Sequence, residues 1–253
     1  EKGVPHWNPV LFQREDSSII LYYKFGKHIP YWQTRYIISK DNGETWSEPH
    51  DVVKDDTTGG RGPVKNKCIR ISNGDVLAPA STEQNGRWRC FIDISHDDGL
   101  TFEKQKYIVR PRTAKGLVQM IQPTLWESEN GHIHALMRTN KGRIYRSDSS
   151  DFGRTWTKAY ATELPNNNSG IDAVKTDKGT FLLYNPVEEN WGARSPVTLA
   201  FSADNGKSWT NLKNLDCEGE EFSYPAITAV GNTLYLTYTY LREKIRFWRI
   251  EVE

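Results

Sequence analysis

Short runs of alternating apolar and polar residues recur along the chain, and turn-forming residues separate them. Such alternation is typical of β-strands that bury one face. One group of strands follows turn signals such as Asn-Gly and Lys-Gly and is predicted at residues 76–80, 132–137, 180–184 and 233–238. A second group is predicted at residues 36–39, 91–95, 144–147 and 197–202. The pattern therefore predicts an all-β protein.

An eight-residue turn follows each strand of the second group. Its pattern is Ser, any residue, Asp, any residue, Gly, any residue, Thr or Ser, and an aromatic residue, and its four copies begin at Ser39, Ser95, Ser149 and Ser202. Successive copies start 56, 54 and 53 residues apart. A near-constant period of this length indicates propeller blades or other repeated units.

Each repeated unit begins with one strand of a third group. These strands are predicted to begin at Trp7, Pro63, Ile121, Gly170 and Phe222. With the extended segment after each turn, this gives four strands per unit, which is the plan of an antiparallel propeller blade. We therefore predict a single domain over residues 1–253, a β-propeller of four-stranded antiparallel blades with about five blades present. Because an unclosed ring leaves strand edges exposed, we expect the N-terminal part of the propeller to be missing.

The residue types in the repeated turn are those that a tight turn itself requires. The Asp side chain accepts backbone N–H bonds, the Gly supplies a positive φ, and the aromatic ring packs back between strands. One carboxylate per turn also falls far short of the six to eight oxygens that calcium takes. The turns are therefore predicted to be structural.

Composition limits the partners. The chain has 33 Lys and Arg against 32 Asp and Glu, a formal charge of +1, so no overall field attracts nucleic acid, and any anion must be recognised locally. No stretch approaches the roughly 18 apolar residues of a membrane span. Cys68, Cys90 and Cys217 lack C-x-x-C spacing and are expected to be buried thiols. No cofactor or metal is predicted.

Equivalent positions in the first strands of rotationally related blades face one axis, so their side chains are predicted to surround one mouth of the central channel. Three of these residues stand immediately before a proline. The predicted set is Asn8, Lys65 or Asn66, Gln122, Asp172 and Tyr224. In this position Asp172 is either an acid or base with a raised pKa or a hydrogen-bonded structural residue.

Two arginines are placed to join this set. Arg138 closes the second strand of the third unit, and Arg194 lies between the second and third strands of the fourth. A guanidinium group suits a carboxylate because its planar fork matches two oxygens, so an acidic sugar is the natural ligand. Pairing with local acids is the alternative. His6 and Trp7 are predicted to face the same mouth, where an aromatic ring stacks on a sugar, unless the terminus is frayed.

The four turns are identified as Asp-boxes, or bacterial neuraminidase repeats, and the chain resembles the sialidase superfamily over essentially its whole length. The resemblance implies a six-bladed propeller and an exo-glycoside hydrolase acting on an acidic sugar. In "ALMRT", Arg138 is similar to the second arginine of the carboxylate-binding triad of this family, and Arg194 is similar to the third. In "EFSYPAI", Tyr224 is similar to the nucleophile.

Two departures from the family pattern affect the chemistry. Gln122 stands where the family has a glutamate that takes the proton from the tyrosine, and an amide cannot act as a base at ordinary pH. We expect Gln122 to hydrogen-bond Tyr224 instead. The first triad arginine and the aspartate acid/base of the family belong to an N-terminal part that this chain is expected to lack.

Three functions are consistent with this fold. The first is a sialidase-like glycoside hydrolase, the second a polysaccharide lyase or other glycosidase acting on uronic-acid glycans, and the third a glycan-binding propeller without turnover. Asp-boxes occur in all three classes, so they indicate the fold rather than the function. A secreted or periplasmic location is favoured over a cytoplasmic one.

Overall fold

A computed structural model of the protein describes residues 2–252, which form five antiparallel blades and one separate two-stranded sheet. Blade 1 contains β1 (His6–Gln13), β2 (Ile19–Phe25), β3 (Gln33–Ser39) and β4 (His50–Asp51). Blade 2 contains β5 (Ile69–Arg70), β6 (Val76–Gln84), β7 (Arg87–Ser95) and β8 (Glu103–Lys104). A small hairpin, β9 (Arg112–Thr113) and β10 (Gly116–Leu117), leads to the third blade.

Blade 3 contains β11 (Met120–Glu129), β12 (His132–Thr139), β13 (Arg143–Ser149) and β14 (Tyr160–Pro165). Blade 4 contains β15 (Asp172–Thr176), β16 (Gly179–Tyr184), β17 (Val197–Ser202) and β18 (Thr210–Asp216). Blade 5 has three strands, β19 (Phe222–Val230), β20 (Thr233–Tyr240) and β21 (Lys244–Glu251). Strands pair in chain order within every blade, so the predicted all-β propeller of antiparallel blades is confirmed.

The first strand of blade 2 differs from its prediction. Residues 63–67 are not a strand, and β5 begins only at Ile69. Gly62 and Lys65 have φ values of 64° and 75°, and backbone in this left-handed region cannot continue a strand ladder. The expectation that N-terminal blade material is missing from the chain stays a prediction.

Apolar side chains fill the interfaces between successive blades. Burying one such side chain stabilises the fold by about 1.5 to 3 kcal/mol relative to leaving it exposed. Pairs that meet in these clusters are Ile20 and Val76, Leu77 and Leu125, Leu136 and Leu182, and Leu183 and Phe222. β20 alternates between buried and half-buried positions as predicted, and β2 shows the same alternation. In contrast, β12 lies between two neighbouring blades and is buried on both faces.

The structure also bears on the predictions made for the cysteines and for membrane spans. Cys68 and Cys90 are buried, but the prediction is wrong for Cys217, which lies just after β18 and is exposed. Within residues 2–252, no helix has the length and apolar character needed to span a bilayer.

Each Asp-box joins the third strand of its blade to the segment that follows, as predicted. In the third copy, Asp151 Oδ1 accepts hydrogen bonds from Ser149 Oγ and from the Thr155 backbone N–H, each 2.8 Å long. The Thr155 hydroxyl donates to the other carboxylate oxygen at 2.6 Å. The Trp156 indole donates to the Gly153 carbonyl at 2.8 Å and closes the turn. Every polar group at the centre of the turn is thus used internally.

The other copies repeat these bonds, with Ser208 in place of threonine and with Phe102 lacking the indole donor. The hydroxyl and backbone N–H of Thr45 lower the pKa of Asp41 to about 2. Hydrogen bonds to the carboxylate stabilise its charged form, so these aspartates are anions at neutral pH. Both oxygens of each carboxylate accept hydrogen bonds from within the same turn, which agrees with a structural role.

A buried carboxylate at the propeller axis ties four blades together. Asp172, at the start of β15, accepts two bonds of 2.9 Å from Lys67 Nζ, which precedes β5. It also accepts a bond of 2.7 Å from Thr124 Oγ1 of β11 and one of 3.0 Å from the Ile227 backbone N–H of β19. The Asp172 side chain is 3% exposed, so each blade supplies a donor to a charge that water does not reach.

Replacing Asp151 with alanine should lower the free energy of unfolding by about 1 to 3 kcal/mol, because the turn loses its central acceptor. Urea unfolding measures the change, with Asp177→Ala in the exposed β15–β16 turn as the matched control. The bonds from Thr155 and Ser149 outweigh burial and lower the pKa of Asp151, so the difference should shrink as the pH falls through that lowered pKa. Equal stability of the two variants would contradict the structural role.

Replacing Lys67 with methionine should cost about 3 kcal/mol or more, because it leaves the Asp172 carboxylate buried without its counter-ion. Chemical denaturation measures the effect, and Lys175→Met, an exposed lysine of β15, is the control. A Lys67→Met protein as stable as the control would show that the axial ion pair does not hold the blades.

Candidate functional site

The first strands of three blades contain a bulge at the residue before a proline. Asn8, Gln122 and Tyr224 have φ values of 49°, 54° and 53°, and the strand register breaks at each of them. Lys65 of blade 2 has a φ of 75°. Positive φ is costly for residues other than glycine, and bulges of this kind redirect a side chain away from the sheet. The residue with positive φ therefore turns one side chain in each of these four blades toward a common mouth.

A cavity of about 630 Å³ opens at this mouth. The predicted residues that line it are Trp7, Asn8, Lys65, Gln122, Arg138, Arg194 and Tyr224. Arg242 brings its guanidinium groups to three, whereas Glu83 is the one carboxyl group in the lining that residues 2–252 provide. Burial lowers the pKa of Lys65 to about 7, so this lysine is only partly charged at neutral pH. The cavity is therefore locally basic in a chain that is nearly neutral overall.

Arg138 is 5% exposed, and its hydrogen-bond partners are uncharged. Its Nε donates to Asn168 Oδ1 at 3.0 Å and its Nη1 to Gln122 Oε1 at 3.1 Å. The rings of Trp88 and Trp191 each lie 5.8 Å from the guanidinium carbon. Burial lowers the pKa of Arg138 to about 10, which still leaves the group charged at neutral pH. Two amides and two indole faces thus hold a cation without a carboxylate.

Arg194 differs from Arg138 because it already has an acidic partner. Its Nη1 donates to Glu221 Oε1 at 3.1 Å, and Arg242 binds the same oxygen at 3.1 Å. The guanidinium carbon of Arg194 lies 5.1 Å from the ring centre of Tyr224. Glu221 therefore fixes Arg194 over the tyrosine, while the second arginine leaves this group with a net positive charge.

Tyr224 is 40% exposed and faces the cavity. Burial of part of the ring raises its pKa, but hydrogen bonding to Arg194 and the charges of Arg194, Arg138 and Arg242 outweigh this, so the pKa of Tyr224 is lowered. The phenolate form is stabilised by positive charge rather than by a carboxylate base.

The predicted hydrogen bond between Gln122 and Tyr224 is not formed, although both residues lie in the described part of the chain. Gln122 is 6% exposed, and its amide oxygen accepts from Arg138. Its backbone N–H donates to Ser81 Oγ at 3.2 Å. The amide of Gln122 therefore positions Arg138, and the side chain of Tyr224 interacts with arginines instead of with Gln122.

Three predicted residues lie outside the cavity lining, namely Asn66, His6 and Asp172. Asn66 is buried and donates to the carbonyl groups of Gln122 and Pro123 at 3.0 and 2.9 Å. His6 packs on the rings of Tyr23 and Phe25, 5.3 and 5.4 Å away, on the face of blade 1. Both therefore stabilise the fold around the mouth and do not line it.

The placement of Asp172 at the mouth is also incorrect. Its partners Lys67 and Thr124 each stand two residues after a bulge residue, so Asp172 lies on the channel-facing side but one layer deeper. Gly170 occupies the mouth position of blade 4, since a Cβ there would lie 3.2 Å from Lys65 Cε and 3.6 Å from Tyr224 Cα. The carboxylate of Asp172 is used by the axial cluster.

Several cavity residues were not found by the sequence reasoning. Trp88 lies in β7, Trp191 lies in the loop after β16, and Glu83 is the last residue but one of β6. Trp191 is 62% exposed with a φ of 63°, a rare combination for an aromatic residue. The one available signal was the unusual tryptophan in the loop "NPVEENWGAR", which also contains Arg194.

A second cavity, of about 500 Å³, is lined by His134 and Asp148, which form a Ser-His-Asp arrangement with Ser128. Ser128 Oγ lies 2.7 Å from His134 Nε2, and His134 Nδ1 lies 2.6 Å from Asp148 Oδ1, the order found in serine hydrolases. However, Asn205 Nδ2 lies 2.8 Å from the same Nε2, and Arg146 Nη2 lies 2.9 Å from Nδ1. Both ring nitrogens are already engaged, so we assign this network to packing of blade 3 against the next Asp-box.

Comparison with known proteins agrees with this geometry. A family model described as "BNR repeat-like domain" matches residues 1–236. A sialidase of Paraclostridium sordellii is 27% identical over 144 residues, an alignment that covers 49% of this chain and 32% of that protein. The chain therefore spans about a third of the length of this relative.

Solved sialidase structures share the fold. The Hadza microbial sialidase Hz136 superposes with a TM-score of 0.78 at 22% identity, covering 98% of this chain and 53% of that one. A mutant of the NanB sialidase from Streptococcus pneumoniae gives a TM-score of 0.70 at 13% identity, with coverages of 94% and 53%. The chain thus spans about half the length of these structures, and the identities support the fold alone.

The predicted family is confirmed by the four Asp-boxes with their shared hydrogen bonds, the antiparallel blades and the extent of the family match. The chain belongs to the family of BNR repeat-like domains and is a sialidase-like β-propeller.

Proposed function

We propose that the protein binds the carboxylate of an acidic sugar at Arg138 and hydrolyses the glycosidic bond of that sugar, with Tyr224 as nucleophile. The observation that supports this most directly is the burial of Arg138 among neutral partners. A guanidinium group that is 5% exposed and has no carboxylate partner within residues 2–252 is costly to bury. A ligand carboxylate offsets that cost.

The neutral partners of Arg138 also set its orientation. Bonds to Asn168 and Gln122 occupy its Nε and Nη1 groups, and the indoles of Trp88 and Trp191 cover the guanidinium. The remaining N–H groups, one of which also hydrogen-bonds Tyr224, present an anion with a geometry fixed beforehand. A preorganised donor binds more tightly because less conformational entropy is lost on binding.

Arg194 and Tyr224 provide the chemistry beside this anion site. A tyrosine is a suitable nucleophile here because a neutral phenol does not repel the substrate carboxylate, and sialidases are an exception to the usual pair of carboxylates. Its lowered pKa makes the phenolate accessible without the glutamate that Gln122 replaces. Arg194 then stabilises the phenoxide when it leaves during the second step.

The sialidase names of the similar proteins favour a sugar substrate over other anions. Exposed Trp7 and Trp191 at the rim fit the same substrate class, because apolar sugar faces stack on aromatic rings. The alternatives are a lyase or another glycosidase acting on uronic-acid glycans and a propeller that binds glycans without turnover. An unsaturated product that absorbs ultraviolet light identifies the lyase, and binding without product identifies the third class.

Arg138→Ala should weaken binding of N-acetylneuraminic acid by about 2 to 5 kcal/mol while sparing the methyl ester of the same sugar, because the ester carries no charge. Titration calorimetry on both ligands measures this. Arg154→Ala is the matched control, since that arginine is 51% exposed in an Asp-box. Equal losses for the acid and the ester would remove the carboxylate site from the proposal.

Gln122→Glu should weaken binding of the same acid about tenfold, equivalent to about 1.4 kcal/mol, because the new carboxylate pairs with Arg138 and competes with the ligand. Calorimetry and a release assay on an aryl sialoside are run together. Unchanged affinity would contradict the contact between Gln122 and Arg138, and a gain in hydrolysis would show that Tyr224 lacks only its base.

A further inference from the structure

Glycoside hydrolysis needs an acid that protonates the departing oxygen, and neither Arg138, Arg194 nor Tyr224 has been assigned that role. Asp172 is bound by Lys67, Thr124 and Ile227 in the axial cluster, one layer below the cavity. Glu221 is held by two arginines. Neither carboxylate is free to carry a proton to a substrate.

Glu83 is placed differently from these acids. It lies near the end of β6, opposite Trp88 in the β6–β7 register, and lines the central cavity. Within residues 2–252 its carboxyl group forms neither a hydrogen bond nor an ion pair, although it is only half-buried. An unpaired acid in the lining of a basic cavity has no evident structural role.

We propose that Glu83 is the general acid and base of the hydrolysis at this cavity. The inference rests on the proposed function, because it needs a glycoside bound at Arg138 with its anomeric carbon facing Tyr224. It adds a catalytic residue that the resemblance to sialidases does not provide within this chain.

The reaction is balanced in two steps. In the first, the Tyr224 phenolate, having lost its proton to solvent, attacks the anomeric carbon while the bond to the leaving oxygen breaks and Glu83 gives that oxygen its proton. In the second, water attacks the same carbon, the Glu83 carboxylate takes the proton of this water, and Tyr224 leaves as phenolate. Glu83 is protonated again, so the site is ready for another cycle.

The charge around Glu83 is compatible with this role. Burial raises the pKa of Glu83, and the charge of Arg138 only partly opposes this. The other ionisable groups that line the cavity within residues 2–252 are Lys65, Arg194, Arg242, Tyr224 and Tyr238. Because the reaction needs protonated Glu83 together with the Tyr224 phenolate, hydrolysis should stop increasing with pH above the raised pKa of Glu83 and decline once Tyr224 is fully ionised.

The competing explanation is that the Glu83 carboxylate only binds sugar hydroxyl groups. Substrates with different leaving groups distinguish this explanation from general acid catalysis. A 4-nitrophenolate leaves without protonation, whereas methoxide does not. Losing a general acid should therefore slow a methyl glycoside much more than a 4-nitrophenyl glycoside of the same sugar. Losing a hydroxyl contact should slow both equally.

The experiment compares Glu83→Gln and Glu83→Asp with the wild type on the 4-nitrophenyl and methyl glycosides of N-acetylneuraminic acid, and then of glucuronic acid. We expect Glu83→Gln to lower kcat/KM for the methyl glycoside by at least about 100-fold and for the aryl glycoside by less than about tenfold. The decline at high pH should disappear in Glu83→Gln and persist in Glu83→Asp. Glu103→Gln, on exposed β8, is the control.

An equal effect on both glycosides, no effect on either, or a wild type that turns over neither overturns the assignment of Glu83. Circular dichroism and melting temperature establish that each variant is folded. Calorimetric binding of the free acid, with and without Arg138→Ala, tests the anion site independently. Retained Arg138-dependent binding with no leaving-group effect therefore defeats only the Glu83 inference, whereas loss of that dependence defeats the proposed function.

Discussion

The buried carboxylate of Asp172 is the constraint on which the centre of the propeller depends. Four blades direct donors at it, including the Lys67 ammonium group, and the packing of those blades fixes how closely their first strands approach the axis. Removing a counter-ion from a buried charge is more costly than losing an apolar contact. The cluster therefore sets the level at which the bulge residues above it open into a cavity.

The cavity differs from the axial cluster in how its charged groups are paired. In the axial cluster, the charges of Asp172 and Lys67 are paired with each other. In the cavity, Arg138 lies among amides and indoles, and Glu83 has no ion-pair partner in the described chain. Strained backbone at Gln122 and Tyr224 adds to this cost. Unpaired charge and strained backbone are concentrated in this one cavity, and such a concentration is typical of a site that a ligand completes.

The Asp-boxes explain why the fold and the site are separable. Each box satisfies its own carboxylate through neighbours no more than four residues away, so it forms wherever its eight residues occur. The boxes stand at the ends of third strands, while the site residues come from bulges, strand ends and loops at the mouth. A propeller can therefore keep its repeats and change its chemistry, which is why the site and not the repeat supports a function.

The sequence by itself determined that about five blades are present, the second strands of blades 2 to 5, the third strands of blades 1 to 4 and the position of every Asp-box, because these follow from residue periodicity and local hydrogen bonds. It also identified Arg138 and Tyr224 as candidates. Only the tertiary structure decided that Asp172 lies a layer below the mouth, that Glu221 neutralises Arg194, and that Glu83 stands unpaired. These facts depend on contacts between side chains tens of residues apart, and local pattern cannot encode them, because strand register and blade packing decide which side chains meet.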